Sequence, residues 1–308
     1  MNAQYRTVNV AAVAGNVTMP SFGSLLSAEL FKIPRNRGAM VTVILTTTYL
    51  IAVLLINFIF LNSTIAGLIS LPEFIAQQSL SHVRESTGVF AMVLTVIVVG
   101  LEYQQGTIRV LLARGTGRIR LLSAKLMAVF LAALTSLAVS LLIVGIFVPL
   151  QFVLANQSGQ FSNLPDYFWS DMGTYVVTLV VNLVASILLA ATLTVLGRSL
   201  AVGLGVTLPW FFAENIISGI LLIVTLSTQN KVWYQIPNFF FGNSLTRLPT
   251  ALLGSHALDP QAAIQQGGAA LGLVVTPDAT FDAIVVAGYC AAFLFIAYFL
   301  TLKRDVTQ

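Results

Sequence analysis

The sequence predicts an all-α membrane protein with six transmembrane helices. Of its 308 residues, 57% are hydrophobic and only 8% are charged, whereas soluble domains carry about 25% charged residues. A helix needs roughly 20 apolar residues to cross the hydrocarbon core of a bilayer, and the chain contains several such runs. Their apolar residues do not alternate with polar ones as in a transmembrane β-barrel, which favours a helical bundle.

The N-terminal region has two parts. Residues 1–19 are small and polar, which indicates a cytoplasmic tail, and residues 20–308 are assigned to a single transmembrane domain. Over residues 20–33 the apolar side chains recur at helical spacing, with a proline at each end. Because a span follows directly, this pattern favours an amphipathic helix on the membrane surface, with a solvent helix packed on a core as the alternative. The apolar face comprises Phe22, Leu25, Leu26, Leu30 and Ile33.

The six spans are predicted at about 39–61, 86–101, 125–153, 175–196, 201–226 and 281–302. The helix of the second span could begin earlier, and the fifth span could be broken near Pro209 or cross once. A long outer connection, residues 227–280, precedes the last span and is too apolar for a disordered linker. Within it, three leucines at helical spacing predict a short amphipathic helix: Leu245, Leu248 and Leu252.

The positive charges are divided unequally between the two sides of the predicted bundle. Of the 15 Lys and Arg residues, twelve fall on the side that holds both termini and three on the other. Since cytoplasmic segments of membrane proteins are enriched in Lys and Arg, this predicts a multi-pass cell-membrane protein with cytoplasmic N- and C-termini. The topology explains the net charge of +4, so no nucleic-acid partner is expected.

Motifs for catalysis or metal binding are absent. The sequence contains no phosphate-binding loop G-x-x-x-x-G-K-[ST], no G-x-S-x-G and no H-E-x-x-H. His82 and Glu85 form an isolated H-x-x-E pair without a third ligand, and Cys290 is the single cysteine. We therefore predict no catalytic residue, no cofactor bound by this chain and no metal site, and we do not expect the chain to be an enzyme.

Glu214 is an ionisable residue inside an otherwise apolar span. A charged carboxylate is costly in hydrocarbon, so Glu214 must face protein, water or an interface. A continuous helix from Arg198 would place it about 24 Å along the span, toward the outer leaflet. It is either a boundary residue or a cap at a helix break, or it forms part of a translocation path or outer gate together with Asn215.

A basic stretch over residues 101–125 separates the second and third spans. It holds five cations and a single acid, Glu102. Gly106 breaks the preceding helix, and Thr107 can cap a new one that continues over residues 108–114 with its apolar side chains on one side. Residues 115–117, Gly-Thr-Gly, end it. We therefore predict a short cytoplasmic helix parallel to the membrane; the alternative is a basic anchor for anionic lipid headgroups.

Two segments of this stretch resemble the permease subunits of type-2 ABC exporters. They read E-Y-x-x-G-T-I-R-x-L-L-A-R at 102–114 and R-x-R-L-L-x-A-K at 118–125. The permeases typically read E-x-x-x-G-T-hydrophobic-R-x-L-L, then an arginine, then a lysine that enters the third span. The layout is similar over most of the chain, with an N-terminal interfacial helix near Glu29, six spans and a long outer connection. The sequence departs from many relatives at 115–118, where Gly-Thr-Gly-Arg replaces Pro-x-Ser-Arg.

The resemblance implies a mechanism. Two permease copies, identical or from sister chains, would pair, and separate ATPase subunits would use ATP and Mg to drive them. A coupling helix would seat in a groove of the ATPase, with Glu102 as a hinge that pairs with Arg109 or with a cation of the N-terminal helix. The apolar spans favour outward transport of a hydrophobic or amphipathic cargo, such as a drug, a peptide antibiotic or a lipid. The implied ATPase-contacting residues are Gly106, Thr107, Ile108, Arg109, Leu111, Leu112 and Arg114.

Other classes of function are alternatives. An ATP-independent secondary transporter or channel would need a polar site within the membrane, for which Gly203, Gly205, Pro209 and Glu214 mark the candidate region. A membrane scaffold or sensor would use the 102–125 stretch to dock a cytoplasmic partner. An intramembrane enzyme is disfavoured because paired catalytic residues are missing.

Overall fold

The computed structural model describes residues 21–60, 79–105, 117–156, 158–159, 164–228, 230, 232–253 and 278–303. The described part is helical and contains no strand, which confirms the predicted all-α class. Six of its helices are long and apolar enough to cross a membrane. The predicted tail, 1–19, and the predicted coupling helix, 106–114, lie outside the described residues, as does much of the outer connection.

The described helices follow one another as α1 (Phe22–Lys32), α2 (Arg37–Phe60), α3 (Leu80–Gln105), α4 (Arg118–Leu154), α5 (Phe168–Gly197), α6 (Leu200–Thr228), α7 (Val232–Gln235), α8 (Phe241–Leu253) and α9 (Ala279–Lys303). Short 3-10 turns, Ile33–Arg35 and Ile236–Phe239, precede α2 and α8. The six candidate spans are α2 to α6 and α9.

Helices α3, α4 and α5 begin about two turns before the apolar runs that predicted them. Hydropathy marks only the part of a helix that suits hydrocarbon, whereas backbone hydrogen bonding continues into polar flanks such as residues 81–85. Both ends of the 101–125 stretch are accordingly helical. α3 runs on to Gln105, and α4 starts at Arg118 with Gly117 as its N-cap.

The fifth predicted span is one continuous helix, α6, which runs through Pro209 without a break. It follows α5 after a tight reversal. Arg198 ends α5 in the left-handed region with φ 49°, and Ser199 Oγ accepts a hydrogen bond from Ala201 N at 3.2 Å. A reversal this short places α6 directly beside α5, as an antiparallel neighbour.

The core of the bundle is built around α3 and α5. Leu94 and Val96 of α3 and Leu179 and Leu183 of α5 are fully buried, and α2, α4 and α6 pack against α3. By contrast, α2, α6 and α9 expose mostly apolar side chains on their outer faces. Helices that are apolar on every face are typical of a bundle embedded in hydrocarbon.

Two glycines allow α3 and α6 to approach closely. A Cβ on Gly100 of α3 would lie 3.0 Å from Leu200 Cα, and a Cβ on Gly203 of α6 would lie 2.6 Å from Val96 Cγ1. Small residues at such crossings let the two backbones come together, which is how helices associate in a membrane.

We expect Gly203→Ala to destabilise the fold by about 1–3 kcal/mol, because the new methyl group overpacks the α3–α6 contact. Its Cβ would also lie 2.8 Å from Thr194 Oγ1. Gly205→Ala is the matched control, since a Cβ there meets nothing within 4 Å. The measurement is the apparent unfolding temperature of the purified variants in detergent. Equal unfolding temperatures for the two variants would contradict the close approach.

Candidate functional site

Four charged side chains meet where α3 ends and α4 begins, which we call the basic end of the bundle. Lys125 Nζ lies 2.6 Å from Glu102 Oε1 and 2.9 Å from Glu29 Oε2. Lys32 Nζ lies 2.7 Å from Glu29 Oε1 and 3.6 Å from Glu102 Oε1. These four residues, the four-charge cluster, join α1, α3 and α4 with two positive and two negative charges.

The cluster is largely removed from water. Glu29, Glu102 and Lys125 are between 4% and 9% exposed, whereas more than half of the Lys32 side chain is exposed. Desolvation makes each buried charge depend on its partners, so removing one partner is far more costly than at a surface. Glu102 Oε2 has no hydrogen-bond partner among the described residues.

These contacts shift the pKa values of two residues of α1, Glu29 and Lys32. Burial by itself would raise the pKa of Glu29, but the Lys125 and Lys32 ammonium groups outweigh it and hold that pKa below its usual value. Burial would lower the pKa of Lys32, but Glu29 and Glu102 raise it above its usual value. Because the pKa of Glu29 is lowered on folding, its stabilising contribution is present at neutral pH and is lost as the pH falls through the folded-state value.

Helix α1 forms as predicted, but the side chain it buries most is a charged one. Leu25, Leu26 and Leu30 are half-buried, whereas Glu29, on the same face, is the one fully buried residue of this helix. The signal in the sequence was a carboxylate inside an apolar stripe. Its partner Lys125 lies 96 positions away along the chain, so sequence spacing could not identify it.

Glu102, the predicted hinge, is placed in this cluster. One of the predicted partners, a cation of the N-terminal helix, is present as Lys32. The shorter contact is with Lys125, at the other end of the basic stretch, which sequence reasoning did not foresee. The alternative partner, Arg109, lies outside the described residues. So do the other predicted ATPase-contacting residues, Gly106, Thr107, Ile108, Leu111, Leu112 and Arg114.

Glu214 connects α6 to the first turn of α8. Its Oε1 accepts a hydrogen bond from Trp210 Nε1 at 2.8 Å, and its Oε2 accepts one from the backbone N–H of Gly242. A carboxylate at a helix N-terminus satisfies N–H groups that have no partner within the helix and interacts favourably with the helix dipole. Glu214 therefore caps α8 from a neighbouring helix. Asn215 follows it in α6.

Helix α8, the amphipathic helix predicted in the outer connection, is held by further polar contacts. Arg247 Nη2 lies 2.9 Å from Asp282 Oδ1 of α9, and Arg247 Nη1 donates to Asn238 Oδ1 at 2.9 Å. Arg84 Nη1 of α3 donates to the Thr246 carbonyl at 2.9 Å. Asp282 is completely buried. The C-terminus of α9 lies at the basic end of the bundle, where Arg118 Nη1 is 3.4 Å from Leu302 O. Asp282 lies in the first turn of α9, so the contacts of α8 are at the opposite end of the bundle.

The H-x-x-E pair forms a small polar group with α2. Glu85 Oε2 accepts a hydrogen bond from Tyr49 at 2.8 Å and lies 3.5 Å from His82 Nδ1. Among the described residues, no group of three or more His, Cys, Asp or Glu side chains could hold a metal ion.

Comparisons with known proteins give no family. No protein-family model matches the chain, and no curated protein matches it. The described residues define a class: an α-helical protein in which six of the described helices are able to cross a membrane, with buried ion pairs at both ends of the bundle.

Proposed function

We propose that this chain is the membrane-spanning permease subunit of an ATP-driven exporter of the type-2 ABC class. It would lie in the cell membrane among lipids, with both termini cytoplasmic, and pair with a second permease copy. Separate ATPase subunits would hydrolyse ATP with Mg, so this chain would not itself be an enzyme. Its cargo would be a hydrophobic or amphipathic molecule moved outward.

The four-charge cluster carries this proposal. Glu102 and Lys125 flank the segment that resembles a coupling helix, and the two side chains pair with each other and with Glu29 of α1. A displacement of the intervening segment would therefore pass to α1, α3 and α4 together. Transmission of an ATPase movement to spans needs this kind of rigid attachment, whereas a lipid anchor does not.

The test is reconstitution of the chain in vesicles with an ABC ATPase that co-purifies with it. We expect ATP-dependent movement of a fluorescent lipid or dye, and we expect replacement of residues 107–114 by a Gly/Ser linker to abolish it. A linker of equal length at residues 262–269, in the outer connection, is the control. Transport driven by an ion gradient without ATP would overturn the proposal in favour of a secondary transporter.

Glu102→Gln is expected to uncouple ATP hydrolysis from transport. The neutral amide cannot form the ion pair with Lys125, so movement of the cytoplasmic segment would no longer reach α4 efficiently. We expect the amount of cargo moved per ATP to fall by about tenfold, the effect of losing roughly 1.4 kcal/mol of coupling. The readout is this ratio, which a general loss of folded protein would not change.

Glu85→Gln serves as the control because Glu85 lies on the same helix but pairs with Tyr49 near its other end. Unchanged transport per ATP in Glu102→Gln would refute the hinge role.

The secondary-transporter alternative has less support. It would need a polar site within the membrane or paired half-helices, and in the candidate region, residues 203–214, α6 is continuous. Half-helices of the kind that hold substrates in many secondary transporters are not formed by the described residues of α6.

A further inference from the structure

A narrow cavity lies between α3, α5, α6 and α8, next to Glu214. It has space for a water-sized group, and both apolar and polar side chains form its walls. The apolar walls include Met92, Leu189, Phe241 and Leu245, and the polar ones include Arg84, Asn182 and Glu214.

Glu214 is a buried carboxylate without a cationic partner. It is 7% exposed, and no Lys, Arg or His among the described residues lies within ion-pair distance of its oxygens. Its donors, the Trp210 indole and the backbone N–H groups of Gly242 and Asn243, are all neutral. A carboxylate offers about four acceptor positions, and these donors leave room for one more.

We propose that Glu214 binds the primary ammonium group of an amphipathic cargo at this cavity. The inference deepens the proposed function, on which it rests, by naming the chemical class of the cargo. A buried carboxylate that lacks a counter-charge gains most from a cation that also donates hydrogen bonds. An ammonium group is such a cation and is close to a water molecule in size, whereas a trimethylammonium group is larger and donates no hydrogen bond.

The hydrocarbon part of such a cargo would lie along α6. Trp210 lines the cavity and is 40% exposed on the outer face of α6. Val206 and Ile217, on the same side of the helix at i−4 and i+7, are also exposed. A chain attached to the ammonium group can therefore lie against this apolar face while its charged head is at Glu214.

Arg84 affects which ammonium compounds bind best. Arg84 lines the same cavity, and its guanidinium group donates to the Thr246 carbonyl. This positive charge opposes a lone cation, and an anionic group beside the ammonium would offset it. The headgroup of phosphatidylethanolamine combines both groups, so the source of the ammonium could be a membrane lipid or a soluble amine.

The test uses the full chain in phosphatidylcholine nanodiscs with radiolabelled dodecylamine as the probe, after subtraction of binding to protein-free discs. We expect saturable binding that Glu214→Gln weakens by at least about tenfold, since a hydrogen-bonded charge pair is lost. Dodecyltrimethylammonium and dodecanol, which share the alkyl chain, are expected not to compete. Gly242→Ala is the second variant, because a Cβ there would lie 2.6 Å from Glu214 Oε2 and would displace the carboxylate while keeping its charge.

Wild-type affinity in both variants would overturn the proposal, as would equal competition by the trimethylammonium analogue. If Glu214→Gln is not recovered folded, the affinity of Gly242→Ala alone decides whether the proposal holds.

Adding phosphatidylethanolamine to the discs distinguishes the two sources of the ammonium group. Competition with dodecylamine in the wild-type protein would support a lipid headgroup, and its absence would support a soluble amine. Because binding is measured without an ATPase, amine binding without ATP-driven export would contradict only the proposed function.

Discussion

Replacing Lys125 by methionine is expected to lower the free energy of unfolding by roughly 3–5 kcal/mol, the range for breaking a buried ion pair. Lys125 lies 2.6 Å from Glu102 and 2.9 Å from Glu29, and its own side chain is 5% exposed. Without it, two buried carboxylates would share one cation, Lys32, which contacts Glu29 at 2.7 Å. The measurement is equilibrium unfolding of the purified protein in mixed micelles.

Lys32→Met is the matched control, because it removes a cation from the same cluster but from its exposed side. More than half of the Lys32 side chain is in contact with solvent, and exposed ion pairs contribute about 0–1 kcal/mol. A triple variant, Glu29→Gln, Glu102→Gln and Lys125→Met, removes every buried charge of the cluster and is expected to recover much of the lost stability. Similar losses for the two lysine variants would show that burial does not determine the strength of these contacts.

Arg247→Met is expected to destabilise the protein by about 3–5 kcal/mol and to release α8 from α9. Asp282 is completely buried and pairs with Arg247 at 2.9 Å. Its second oxygen, Oδ2, has no partner among the described residues, so the variant would leave a buried carboxylate without a counter-charge. The measurements are the unfolding transition and amide hydrogen exchange over residues 241–253, which we expect to accelerate.

The paired variant Arg247→Met with Asp282→Leu provides the control. It replaces the ion pair by apolar side chains, and buried pairs replaced in this way often keep or regain stability. We therefore expect the double variant to be more stable than Arg247→Met alone. If the loss of stability in the double variant equals the sum of the losses in the two single variants, the two side chains contribute independently and the ion pair does not hold α8.

The local pattern of apolar and polar residues in the sequence predicted the helices well, but it predicted the polar contacts between them poorly. Apolar runs identified all six long helices, and leucine spacing identified α8, whose Leu245 and Leu248 are buried. The sequence left open an earlier start for α3, but the early starts of α4 and α5 were missed because polar residues continue a helix beyond the hydrophobic stretch. The continuity of α6 through Pro209 could not be read from sequence, since a proline within a helix either breaks or merely bends it.

The charged residues show the same division. Glu102 was singled out from the basic stretch, and pairing with a cation of the N-terminal helix was one of two alternatives given for it. Its closer partner Lys125 was not, because no periodicity connects two side chains on opposite sides of a loop. Glu214 was recognised as out of place in an apolar span. Its role as a cap of α8 could not be predicted, because the carboxylate contacts Gly242, which lies 28 positions away along the chain.

The sequence by itself determined the class of this protein, because the length and apolarity of a helix in a membrane follow from local composition. It also determined the distribution of Lys and Arg from which its orientation is predicted. Only the tertiary structure decided which charges are neutralised and by which partner. Burial of a charge is acceptable only where another element supplies a counter-charge or hydrogen-bond donors, and that depends on how distant helices pack. Glu29 with Lys125, and Arg247 with Asp282, are paired for this reason, whereas Glu214 has only neutral donors among the described residues.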